Sequence, residues 1–257
     1  MTGGRVLVLG VAVDRVDAAA ALERASEIVE SGAGGLIVTV NPEMIMASAN
    51  DAALAEALRR AELAVADGAG VVWAARRLGD PLPERVPGIE LAEGLLARAE
   101  ARGWSVYFLG ARPEVVRAAV ARLKERHPRL RVAGARDGYF RPEEAPAVAR
   151  SVAESGAQLL LMGMGVPREQ HFWLRQRALL GGVAAMGVGG SFDVWSGTAR
   201  RAPAWMRRRN LEWLYRLVTE PRRWRRQLAL PAFALRVLAA AARARRGRGG
   251  RGRRAGA

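Results

Sequence analysis

A strand-like run, Leu63 to Ala66, ends in Asp67 and then at once in Gly68 and Gly70, so one carboxylate stands where the chain leaves a strand and enters a helix. Two readings of Asp67 stand side by side. It is either a plain N-cap accepting N–H groups from the next turn, or a general base held on rigid scaffold within reach of a substrate hydroxyl. The preceding strand-like run ends in "TVNPE", whose Thr39 and Asn41 either orient that substrate or simply make the turn before Pro42. Other apolar runs end in "FLGARPE" with Gly110, "DGYF", "GMGVPREQ" with Gly163, Gly165, Glu169 and Gln170, and "GVGGSFD" with Gly189 and Asp193. Glycines ahead of helix starts let backbone N–H groups approach a phosphate, although short strand-to-helix turns need glycine in any case.

The chemistry that is missing narrows the field. Cysteine is absent, and the histidines, His127 and His171, lie far apart in helix-type segments, where packing or surface roles are expected. No DxD motif or His pair suggests a metal site, and no metal or other cofactor is expected. No serine has a histidine and acid partner, and no loop matches a dinucleotide or ATP fingerprint, which argues against a nucleotide-sugar oxidoreductase or epimerase. One carboxylate, polar positioning groups, arginines and glycine loops suit transfer from an activated phosphate-ester donor better than metal-assisted hydrolysis.

Such residues need a scaffold that gathers loops at one end. Strand-length apolar runs alternate with helix-period stretches, which predicts an α/β fold: a Rossmann-like, largely parallel sheet sandwiched by helices. Strands are expected near Val6–Leu9, Leu36–Val40, Leu63–Ala66, Ser105–Leu109, Arg131–Ala133, Leu159–Met162 and Val183–Val188. The clearest helices are Asp17–Glu30, Ala52–Arg60, Ile89–Ala101, Pro113–Arg126, Glu143–Ser155 and Arg168–Leu179. Pro113 and Pro167 mark helix starts, where a missing N–H costs nothing. In an open sheet of this kind ligands bind outside the carboxyl ends of the strands.

At 257 residues, half of them apolar, the chain can bury a large core without staples. The lack of cysteine excludes disulfides and makes a reducing cytoplasm the expected setting. The N-terminus reads as a first strand and not as a signal peptide, since acids follow at Asp14 and Asp17 and no cleavage site is evident.

Charge is distributed unevenly. The formal net charge of +16 lies entirely beyond residue 199, where 18 arginines face Glu212 and Glu220. A neutral body with a cationic end indicates a local docking surface for something anionic. Residues 1–199 read as the α/β core, 200–240 as a basic amphipathic helical appendage and 241–257 as a disordered Gly/Arg tail. Leu211, Leu214, Tyr215 and Val218 share one helix face. The run Leu228–Ala240, broken by Pro231 and Arg236, is too short to span a bilayer, which takes about 20 apolar residues, but can lie on its surface. A nucleic-acid-binding role for the tail is the rival reading; the aromatics sit with Leu and Val and not on an exposed stacking platform, so no specific nucleic acid is expected.

Taken in order, "TVNPEMIMAS", "LAVADGAGVVWAARRLG", "ERVPGIEL", "VYFLGARPEV", "DGYF", "LLLMGMGVPREQHFW", "GVGGSFDVWSGTARRAPAWM" and "LEWLYRLVTEPRRWRRQ" closely resemble the WecG/TagA/CpsF family of bacterial glycosyltransferases, from about Leu7 to Gln227. The resemblance implies a metal-independent, inverting transfer of N-acetylmannosamine from UDP to the GlcNAc of an undecaprenyl-diphosphate-linked acceptor, with a β-1,4 linkage. It implies a cytoplasmic protein, peripheral on the inner face of the cell membrane, serving cell-wall or surface polysaccharide synthesis. A homo-oligomer is compatible with that role, and other UDP-hexose donors occur among relatives. On this resemblance Asp67 is the base, Thr39 and Asn41 shape the pocket and Arg85 of "ERVPG" stabilises the leaving diphosphate. Gly110, Gly163, Gly165, Glu169, Gln170, Gly189 and Asp193 fall in the substrate-binding loops. Arg216, Arg223 and Arg226, with Trp213 and Trp224, meet the lipid diphosphate and the membrane. One departure stands out. The family usually reads P-x-Q-E where this chain has Pro167, Arg168, Glu169 and Gln170, so a carboxylate occupies the position of an amide. An ionised carboxylate cannot donate to a sugar or phosphate oxygen, and beside a diphosphate it repels.

Overall fold

In a computed structural model of the chain, residues 4–209, 214–215 and 229–252 are described. Six strands form one parallel sheet in the order β4-β3-β8-β7-β5-β6. They are β3 (Gly35–Val40), β4 (Leu63–Ala66), β5 (Ser105–Gly110), β6 (Arg131–Arg136), β7 (Leu159–Gly163) and β8 (Ala184–Gly187). The expected α/β class is therefore present. Alternate residues serve opposite faces, as the two-residue strand period requires. Leu36, Val38, Val40, Ala64, Ala66, Leu160 and Met162 enter one core, while Ile37, Leu63, Val65, Leu159, Leu161 and Met186 enter the other.

Helices cover both faces. α1 (Ala18–Ser31), α5 (Gly88–Arg102), α6 (Pro113–Arg126) and α9 (Ser191–Trp195) pack on one. The other face carries α2 (Pro42–Ser48), α3 (Ala52–Arg59), α4 (Ala69–Leu78), α7 (Ala145–Glu154) and α8 (Arg168–Leu180). α10 (Ala204–Arg208) follows, and the last helix, α11 (Ala229–Gly252), docks on that second face. Helix ends follow local chemistry: Asp17 caps α1 by accepting the Ala20 N–H, and Pro42 and Pro113 open α2 and α6.

Four expectations need correction. The N-terminal run is not a strand of the parallel sheet: β1 (Arg5–Val8) pairs antiparallel with β2 (Val11–Asp14) in a separate hairpin. Leu9 at φ 49° and Gly10 at φ 90° form its two-residue turn, and positive φ at both central positions matches the twist of a tight hairpin. The hairpin is fixed against β4 by Asp14, which is buried, accepts the Ala64 N–H at 2.8 Å and pairs with Arg5 and Arg24. β6 runs three residues beyond the expected Ala133, to Arg136, because the edge of the sheet continues to pair with β5 past a register shift at Val106/Tyr107. The helix expected from Glu143 begins as a 3₁₀ turn, Pro142–Glu144, and becomes α-helical at Ala145. α2 was absent from the expected set, since seven residues are too few to show a period.

The histidines take structural positions. His171 Nε2 lies 2.9 Å from Asp51 Oδ2, joining α8 to the cap of α3, and His127 Nδ1 lies 3.0 Å from Glu100 Oε2. Asp51 also accepts the Leu54 N–H; that bond first, and His171 after it, hold its carboxyl below the usual range.

α11 runs through residue 241, where the disordered tail was expected to begin. Phe233, Val237 and Ala241 recur every four residues and face inward, while Leu235, at 69% exposure, and Leu238 face out. No described helix is long and apolar enough to cross a membrane. Phe233 meets the start of α4 at Gly70, which itself lies against Pro42 of α2. The last described helix therefore reinforces the turn that follows Asp67.

Phe233→Ala is expected to cost about 3–5 kcal/mol of packing, read as loss of hydrogen-exchange protection in α11 and the first turn of α4. Asp51→Ala should cost about 1–2 kcal/mol at neutral pH. Because the folded state depresses this carboxyl, its contribution is present above the ordinary carboxylate range and disappears as the pH falls through the folded value. Denaturant titrations of both proteins at neutral and strongly acidic pH check the convergence.

Candidate active site

Parallel strands all point the same way, so the loops after β3, β4, β5, β7 and β8 converge at one end of the sheet. β3 and β8 are neighbours, yet β3 leads into α2 on one face and β8 into α9 on the other. The loops part there, and this topological switch is where open α/β sheets bind ligands.

Asp67 follows β4, which neighbours β3 at the edge of the sheet. Its N–H donates to the Val40 carbonyl at 2.8 Å, which extends the β3–β4 pairing and fixes the backbone. The side chain is 28% exposed. Oδ2 accepts the Gly88 N–H at 3.1 Å, and Oδ1 lies 3.4 Å from Arg85 Nε. The N-cap reading takes an unexpected form. The residue at the head of α4 is Gly68, which has no side chain to cap it, so Asp67 stands one residue outside the N-cap position. It receives an N–H at the start of α5, 21 residues away. That contact brings the "ERVPG" segment to the strand end, and the Val86 N–H bonded to the Ala66 carbonyl at 2.8 Å holds it there.

Thr39 lies beside this group. A Cβ on Gly88 would come within 2.9 Å of Thr39 Oγ1, so only glycine lets α5 begin this close to β3. Asn41 caps α2 through its Oδ1, which accepts the Met44 N–H at 2.9 Å; the turn-forming alternative accounts for that oxygen. Thr39, Asn41, Asp67 and Arg85 thus fall on adjoining strand ends and the loop tied to them.

A second group occupies the ends of β5, β7 and β8. Gly110, at φ 145°, pairs with Gly163 so closely that a Cβ would sit 2.4 Å from the Gly163 carbonyl carbon. Strand packing explains this glycine. The loop carrying Gly138 lies over it, with the Gly138 N–H bonded to Ala111 and its carbonyl accepting Arg168 Nη2 at 2.7 Å. Asp193 lies in the first turn of α9, where its carbonyl accepts the Ala199 N–H at 2.8 Å.

Glu169 stands apart from the expectation for its loop. It is 2% exposed, and its Oε1 accepts the N–H groups of Met164, Gly165 and Gly189 at 3.0, 2.8 and 3.1 Å. Burial pushes its carboxyl up to about 7, against the pull of those N–H groups and of the Gln170 side chain. Gln170 is equally buried, with Oε1 unpartnered. The N–H groups of Gly165 and Gly189, proposed from the sequence as phosphate donors, point at an internal carboxylate.

Two positions left unassigned by the sequence make contacts at the start of α5. Gly88 supplies the N–H to Asp67, and Arg201 reaches Glu90 in the first turn of α5 at 2.8 Å. Their signal lay in quoted motifs, "ERVPG" and "TARRAP", but not in any local spacing to Asp67. Arg216, Arg223, Arg226, Trp213 and Trp224 lie outside the described residues. Among the described residues no group of three or more His, Asp or Glu side chains is arranged to hold a metal ion.

The family model described as "Glycosyl transferase WecG/TagA/CpsF family" matches residues 6–247. The chain is 35% identical over 205 residues to the N-acetylglucosaminyldiphosphoundecaprenol N-acetyl-beta-D-mannosaminyltransferase of Bacillus subtilis (strain 168), covering 80% of this chain and 79% of that protein. It is 37% identical, with the same coverage, to the protein of that name from Bacillus spizizenii. With its parallel sheet, its crevice of converging loops and a match spanning nearly the whole chain, the protein belongs to the WecG/TagA/CpsF family and is a glycosyltransferase.

Proposed function

We propose that this glycosyltransferase transfers N-acetylmannosamine from a UDP donor to the GlcNAc of an undecaprenyl-diphosphate-linked acceptor, with inversion and without a metal, forming a β-1,4 linkage. The observation that carries this reading is Asp67, fixed at the end of β4 between Arg85 and the N-terminus of α5. The names of the two Bacillus relatives supply the donor sugar and acceptor class.

Inversion needs the acceptor oxygen to attack the anomeric carbon from the face opposite the departing UDP, so one base beside the acceptor suffices. Asp67 takes the proton of the acceptor hydroxyl as the new C–O bond forms and the bond to the UDP oxygen breaks. Arg85 holds the carboxylate from one side and lies where it can offer donors to the diphosphate as negative charge develops there. Thr39 and Asn41 bound the same end of the crevice, and the loops of Gly110, Gly163, Gly165 and Gly189, with Asp193, border the donor.

Arg216, Arg223 and Arg226 take the diphosphate charge from the appendage side, while Trp213 and Trp224 lie at headgroup level of the inner membrane surface. The outward Leu235 and Leu238, with Arg236, suit the same interface. The protein then acts as a peripheral membrane enzyme on the cytoplasmic side, where a lipid-linked acceptor is presented.

The test is incubation with a panel of UDP-sugars and a short-chain GlcNAc-diphosphate-lipid analogue, products being read by mass spectrometry with EDTA present and absent. UDP-N-acetylmannosamine should give a β-1,4-linked disaccharide in both conditions; no product from any UDP-sugar defeats the reading. Asp67→Asn should keep the fold and UDP affinity and lower turnover by about 10²–10⁴-fold. Turnover close to wild type in that variant removes Asp67 as the base. Arg85→Ala should lower kcat by about 10²–10³-fold, checked by single-turnover kinetics at saturating donor.

A further inference from the structure

The three N–H groups that meet at Glu169 Oε1 come from two separate loops: Met164 and Gly165 follow β7, and Gly189 follows β8. An isolated cluster of converging N–H groups is a seat for an anion. Here the seat is filled from within by the first turn of α8, and the acid is buried. Its other oxygen is equally confined, since a Cβ on Gly187 would lie 2.5 Å from Glu169 Oε2 and 3.3 Å from Gln170 Nε2. Glycine at 187 is what lets these two side chains pass beneath the end of β8.

We propose that Glu169 is a positioning residue for the transfer reaction: its carboxyl oxygen, accepting N–H groups from both, clamps the β7 loop to the β8 loop and fixes the donor side of the crevice. The proposal rests on the reading that a UDP-sugar lies against these loops. It removes the objection that a carboxylate in this loop repels a diphosphate, because the acid faces inward and is buried. It also explains why arginines must carry the phosphate charge, since the N–H groups of Gly165 and Gly189 are already engaged.

Among the described residues, the groups that act on Glu169 are uncharged. The β7 loop offers Met164 and Gly165, the β8 end offers Gly187 and Gly189, and α8 offers Gln170. The adjacent charged residue of α8, Arg168, is turned to the Gly138 carbonyl, and His171 to Asp51. Titration of the clamp near pH 7 is therefore governed by burial and these N–H groups. The sign follows: burial favours the protonated acid in the folded state, so its stabilising contribution is full below the ordinary glutamate range and is lost as the pH rises through about 7.

The experiment compares the full-length wild type, Glu169→Ala and Glu169→Gln. In E169A the donor KM should rise about tenfold or more, with kcat changed less. Sodium formate, a carboxylate small enough for the vacated seat, should restore part of the donor affinity and raise the melting temperature, while sodium chloride at equal ionic strength should not. In E169Q the amide oxygen still accepts the three N–H groups, so KM should rise less, and the wild-type dependence of KM and melting temperature on pH around 7 should vanish. A folded E169A with wild-type donor KM overturns the proposal, as does a loss that formate leaves unchanged. If E169A does not fold, E169Q decides alone: persistence of the wild-type pH dependence overturns the clamp. Should the wild type use no UDP-sugar at all, the donor reading fails separately, and formate-dependent stabilisation of E169A still tests the seat without substrate.

Discussion

Everything at the crevice depends on burying both faces of a parallel sheet. A parallel sheet needs helical crossovers on its faces, and the crossovers bring every strand-to-helix loop to the same end. Because β3 leads to one face and β8 to the other, the loops separate in the middle, the place where open α/β sheets take their ligands. Apolar burial thus creates the place where polar residues meet, and the polar residues only have to lie at strand ends. The strictly alternating membership of β3, β4 and β7 in the two cores shows how little freedom remains: a one-residue slip would exchange every inward and outward side chain.

Within that frame two carboxylates take opposite parts. Asp67 is partly exposed, and a backbone N–H and the Arg85 guanidinium hold it, an arrangement that orients a carboxylate and leaves it open to solvent. Glu169 is sealed and gathers three N–H groups on one oxygen, an arrangement that joins loops. The difference comes from what surrounds each acid and not from the residue type. Both sit near glycines because backbone must approach a carboxylate closely, from Gly88 in one case and from Gly165 and Gly189 in the other.

The C-terminal helix links the basic end of the chain to this chemistry. Phe233 packs at Gly70, only three residues after Asp67, while Leu235 and Leu238 on the outward side of the same helix are exposed. An exposed apolar face and a face that braces the start of α4 are then two sides of one helix.

The sequence by itself determined the sheet class, most element positions and the placing of Asp67 at a strand end, because these rest on periods of two and about 3.6 residues that are local properties of the chain. Leu63–Ala66 and Pro113–Arg126 were legible to the residue. The quoted motifs also carried the family. Only the tertiary structure decided that the N-terminal strands form a separate hairpin, that Asp67 receives the distant Gly88 N–H, and that Glu169 turns inward. Each of those outcomes depends on which distant N–H groups and side chains arrive beside a given residue. A carboxylate reads alike in sequence whether it faces solvent or three buried donors, and folding brings those donors from loops 4, 5 and 20 residues away.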